Sequence, residues 1–78
     1  MKDKLVHATK SHLQGMFDAH IANVHVYMAN PAGIGEHSDI IEAIEIELDK
    51  AAKYKDMLDI LTEFVEWTDM ESNGINSG

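Results

Sequence analysis

The chain contains no cysteine. Disulfides, thiolate metal sites and cysteine nucleophiles are therefore excluded. A domain of 78 residues buries a thin core and commonly leans on disulfides, a metal or self-association. With disulfides gone, helix packing, oligomerisation or a metal held by histidine and carboxylate remain. The absence of thiols also fits a reducing interior. Basic residues are few: six Lys and Arg against fourteen Asp and Glu, a formal net charge of −8. Such a surface repels a phosphate backbone, so direct nucleic-acid binding is not expected. Basic protein partners would be attracted. The lysines of "MKDKLVHATK" and "DKAAKYK" are too sparse to form a nucleic-acid patch. No apolar run approaches the length of a membrane span, and the N-terminus lacks the apolar centre of a signal peptide. The expectation is a soluble, cytoplasmic protein without membrane contact.

Proline and glycine are as informative by their scarcity. One proline is present, Pro31, and the segment from Asp3 to Ala29 holds one glycine, Gly15. Val6, Leu13, Phe17, Val24 and Met28, with Met16, His20 and Tyr27 beside them, recur at helical steps of three, four and seven. This predicts a first helix over about 3–29, ended at Asn30 by the bias of a residue before proline. From Asp39 to Asn73 there is neither Gly nor Pro. Ile40, Ile41, Ile44, Leu48, Ala51, Tyr54, Leu58, Leu61 and Val65 form the apolar stripe of a second helix over about 38–68. Ser38 or Asp39 can cap it, and Asp39 with Glu42 has capping-box spacing. Asp49 and Lys53 are spaced for an i,i+4 ion pair. Residues 71–78, "ESNGINSG", read as a flexible polar tail after a helical domain of 1–70. No strand pattern competes. The fold class is all-α: an antiparallel two-helix hairpin, expected to dimerise into a four-helix bundle.

The dimer expectation rests on surfaces that a hairpin does not use. The first helix has a second seam of small residues: Ala8, Ser11, Gly15, Ala19, Ala22, Val26 and Ala29. Alanine alone would need no explanation, since it is the best helix former. Gly15 suggests close packing, because a mid-helix glycine costs about 1 kcal/mol relative to alanine. The second helix has Met57, Ile60, Phe64 and Trp67 at three- and four-residue steps, offset from its main stripe. Aromatics and methionine in such a stripe suit a protein interface. The candidate contact residues are therefore Met57, Ile60, Phe64 and Trp67, with Gly15, Ala19 and Ala22.

Five histidines invite a metal. His7/His12 and His20/His25 are both at i,i+5, about 140° apart around a helix, whereas helical chelation uses i,i+3 or i,i+4. No metal or cofactor site follows within one chain. His20 lies inside the apolar stripe and reads as a partly buried histidine with a hydrogen-bonded ring nitrogen, or as a pH-sensitive element. The serines lack the context of a nucleophile elbow. Asp39, Glu42 and Glu45 read as a solvated, capping face, not as paired acid–base groups. No catalytic residue follows, and the expectation is a non-enzyme.

The bend "ANPAGIGEHSD", residues 29–39, has G-I-G ahead of a helix N-terminus, where anions bind. No strand precedes it, no Lys or Arg lies within ten residues, and Glu36 and Asp39 oppose phosphate. Chain reversal explains Pro31 and the glycines, with Ile34 closing the hairpin end. Reversal does not require Glu36 and His37. With His25 they form a candidate contact patch. The stretch "NPAGIGEHSDIIEAIEIELDKAAKYKDML" resembles a group of small uncharacterised acidic helical proteins of marine T4-like tailed phages. These share an N-P-x-G-I-G-E-H bend followed by an acidic amphipathic helix, and the resemblance covers roughly residues 20–65. It implies a phage-encoded protein acting in the host cytoplasm or the virion, and it carries no activity or site residue. The expected function is a non-enzymatic phage accessory or assembly protein acting through self-association and contacts with a host or phage protein. The alternatives are an acidic, DNA-mimic-like inhibitor of a host nucleic-acid-binding protein and a His/carboxylate metal-binding protein.

Overall fold

A computed structural model describes the backbone of residues 2–29 and 37–77 and the side chains of 2–29 and 39–68. Two helices make up the described chain: α1, Lys2–Ala29, and α2, His37–Ser77. They pack along each other as a hairpin 64 Å long and 19 × 13 Å in cross-section. The antiparallel course shows in the clefts between them. Val6 shares one with Leu61 and Val65, Phe17 another with Leu58, and His20 a third with Tyr54. The bend with Pro31, Ile34 and Glu36 lies outside the described residues.

The helix limits differ from expectation at both ends of α2. It starts at His37, so Ser38 and Asp39 lie inside the first turn and do not cap it from outside. Asp39 still suits the positive end of the helix dipole there. At the other end α2 continues to Ser77, through most of the stretch expected to be a polar tail. No proline stops it, and Gly74 opposes a helix by only about 1 kcal/mol.

The seam between the helices has a coiled-coil period. Apart from Ala43, which is half-buried beside them, the buried or half-buried positions on α2 are Ile40, Ile44, Glu47, Ala51, Tyr54, Leu58, Leu61, Val65 and Thr68. Their steps alternate strictly between four and three, an average of about 3.5 residues. On α1 the matching positions are Val6, Leu13, Phe17, His20, Val24 and Tyr27. The strongly buried apolar set is small: Leu13, Val24, Ile40 and Ala51. Three residues of the expected stripes lie outside the seam. Met28 is 61% exposed, Ile41 57% and Leu48 45%, and the place expected of Leu48 is taken by Glu47 at 9%.

The hairpin is thin for its mass. A compact monomer of 8.7 kDa exposes about 4,700 Å². This chain exposes 6018 Å². Ten large apolar side chains are open to solvent, among them Met57, Ile60, Phe64 and Trp67.

Candidate functional site

Two features stand out from a plain apolar seam: a polar node inside it and an apolar flank outside it. The node begins with His20, placed by α1 at a seam position. Its Nδ1 lies 3.0 Å from Glu47 Oε1 on α2, with the side chains only 15% and 11% exposed. Asn23, one turn further along α1, donates from Nδ2 to the same carboxylate oxygen. The ionised carboxylate offers no proton, so His20 Nδ1 carries the hydrogen and donates it. The imidazole stacks on the Tyr54 ring, with centroids 5.8 Å apart and planes 14° from parallel. Glu47 is thus a buried acid with two donors supplied by the opposite helix. This arrangement stabilises a charge that would otherwise be costly inside a seam.

The Asn23 and His20 hydrogen bonds hold the Glu47 carboxyl below its ordinary value of 4.5. Burial opposes them, and the charges of His20 and Lys50 add a smaller lowering. A carboxylate with a depressed folded-state pKa contributes stability that is present above its unfolded pKa. That stability is lost as pH falls through the folded value. The window therefore opens near pH 4.5 and extends downward. Glu47→Gln keeps the shape and removes the charge. The wild type should melt above Glu47→Gln at neutral pH, and the gap should close as the buffer is taken well below the carboxylate range. A gap that stays constant with pH would show that the charge on Glu47 contributes nothing.

The bland reading of His20, a half-buried ring with a hydrogen-bonded nitrogen, is what the geometry shows. Glu47 and Asn23 were not picked out by the sequence, and Tyr54 was read only as a member of the apolar stripe of α2. The signal was present in the period: steps of four and three from Ile40 pass through Glu47, not Leu48.

The flank is built by α2 alone. Met57, Ile60, Phe64 and Trp67 are exposed by 43%, 63%, 54% and 60%. Phe64 and Trp67 sit one turn apart with ring centroids at 6.4 Å and planes tilted by 39°. These four positions belong to a longer row with the same alternating step: Ala43, Ile46, Lys50, Lys53, Met57, Ile60, Phe64 and Trp67. The described side chains of α2 include nine acids, yet none falls in this row. Lys53 also makes the expected pair with Asp49, at 3.7 Å. Both groups are well exposed, which limits its worth to a few tenths of a kcal/mol.

The small-residue seam of α1 faces elsewhere. Ala8, Gly15, Ala22 and Ala29 each follow a seam position by two residues, about 180° from α2, and all are exposed. Ala19 and Val26 are exposed as well. A Cβ added at Gly15 would meet nothing within 4 Å. The hairpin itself therefore supplies no close contact that calls for glycine there. His25 is exposed on α1, while Glu36 and the side chain of His37 lie outside the described residues, so the expected patch at the bend cannot be assembled.

Among the described residues no group of three His, Asp or Glu side chains converges as a metal would require. His7 and His12 are exposed and His20 is turned into the seam. Asp39, Glu42 and Glu45 are exposed on α2. Among the described residues no helix is long and apolar enough to cross a membrane. The class that this geometry defines is an antiparallel helical hairpin with a polar node in its seam and an apolar flank. No protein-family model matches the chain, and no curated protein or solved structure does.

Proposed function

We propose that this chain is a non-enzymatic interaction protein that associates with itself and acts through protein contacts, in a phage accessory or assembly role. The observation that carries the reading is the acid-free apolar flank on a chain of net charge −8. A monomer rarely leaves contiguous aromatic and aliphatic side chains open on a surface otherwise rich in carboxylates. The thin core supports the same reading, since a hairpin of this size gains much of its stability by covering a second face.

Sedimentation equilibrium at micromolar concentration, in low and high salt, tests it. The expected result is a mass that is a multiple of 8.7 kDa and that persists in high salt, because apolar contacts are not screened. A strict monomer at every concentration would remove self-association from the reading. An assembly that dissolves steeply with salt would shift the weight to the acidic surface, as an inhibitor imitating nucleic acid requires.

A further inference from the structure

We infer that the flank of α2 is the site for a second copy of this chain, laid antiparallel across a two-fold axis that passes near residue 62. The inference rests on the self-association proposed above and names its surface, partner and register. Four observations carry it. The first is that the row pairs with itself. Antiparallel registry about position 62 places Met57 against Trp67 of the other copy and Ile60 against its Phe64. Each layer then joins an aromatic ring to an aliphatic side chain, and both layers close with the same registry, as alternating steps of three and four allow.

The second observation is area. A large side chain carries about 200 Å², so at their measured exposures the four leave on the order of 450 Å² open per copy. Two copies supply roughly 900 Å², most of the ~1,200 Å² at which specific interfaces begin. Met16 borders the flank, lining a cleft with Met57, and extends the apolar surface onto α1.

The third is charge. Parallel pairing would bring Lys50 and Lys53 onto their own counterparts. Antiparallel pairing about position 62 separates them along the helices. Glu63 does meet its own counterpart near the two-fold, so the apolar layers must outweigh one like-charge pair. The fourth is exclusion: none of the described side chains in the row is an acid, so a second acidic chain meets little repulsion there.

The absence of cysteine makes the test direct. A single spin label at Asp49→Cys lies thirteen residues from the axis. At 1.5 Å per residue the two labels should be roughly 39 Å apart along the helices, against roughly 10–15 Å for a parallel pair at ordinary helix spacing. Phe64→Asp should weaken association about 30-fold or more, as loss of a central aromatic anchor does. Far-UV circular dichroism should keep its helical signal, because Phe64 is already exposed. Gly15→Leu, on the outer seam of α1, should leave the mass unchanged. A short label distance overturns the register. A dimer that survives Phe64→Asp or dissociates with Gly15→Leu overturns the surface while leaving self-association standing. A wild type that is monomeric throughout overturns both.

Discussion

Replacing His20 and Glu47 together by leucine should raise the melting temperature of the hairpin. Both side chains sit in the seam, 15% and 11% exposed, at positions that a coiled coil fills with apolar residues. Their hydrogen bond and the stack on Tyr54 stabilise the pair once it is there. The comparison that matters is with an apolar pair of similar volume. Exchanging a hydrogen-bonded polar pair in a seam for well-packed hydrophobic residues of similar volume is often neutral or stabilising. In a domain of this size each kcal/mol moves the midpoint by about 4–8 °C. Asn23 is exposed and can turn to water when Glu47 is gone.

The single replacements should behave oppositely. Glu47→Leu strands the His20 donor against a leucine. His20→Leu leaves the Glu47 carboxylate in the seam with fewer donors. Each should melt below the wild type, so the pair is strongly non-additive in a double-mutant cycle. The same double replacement should blur the assembly. A polar pair inside a heptad seam fixes which layers may face each other, at some expense of stability. Thermal melts at fixed concentration, read beside sedimentation profiles, check both parts. A double-leucine variant that melts below the wild type would show the node to be a net stabiliser.

The hairpin was legible because its punctuation is local. A proline between two helical periods, and no other helix breaker of comparable strength, leaves little choice of architecture. The node was half legible. His20 stood out as a polar residue in an apolar stripe, but its partner did not. On α2 alone, Ile41, Ile44 and Leu48 make as good a stripe as Ile40, Ile44 and Glu47. The choice is made by α1, which presents His20 and Asn23 at that level and can satisfy a carboxylate but not a leucine. Such a preference belongs to the pair of helices and is absent from either sequence segment. The flank was legible for a related reason. Met57, Ile60, Phe64 and Trp67 are too far around the helix to join the seam, and their period shows this without any partner. The end of α2 was misjudged because polar composition says little about backbone geometry when nothing in the sequence forces a turn.

Ala51→Leu should be among the most damaging single substitutions in the chain. Ala51 is 2% exposed, the lowest of the core residues. It lies four residues after Glu47 and three before Tyr54, and the His20 side chain touches both. Ala51 therefore stands between the two partners of the imidazole on α2, and a larger side chain there would compete with the ring for space. Leucine would drive the ring off Glu47. Overpacking costs about 1–3 kcal/mol, and loss of the hydrogen bond to the Glu47 carboxylate adds to that. A core this small rarely supplies more than about 3–5 kcal/mol in all, so most of the fold's stability should go. Ala52→Leu, next in sequence but exposed, should stay within about 0.5 kcal/mol of the wild type. The decisive variant is His20→Ala with Ala51→Leu, which removes the ring and fills its space. It should recover much of the lost melting temperature, because the defect is steric and has a named cause. An Ala51→Leu protein that melts like the wild type, or one that His20→Ala does not rescue, would mean that the ring and residue 51 do not compete for space. The seam would then be held by its aliphatic layers alone.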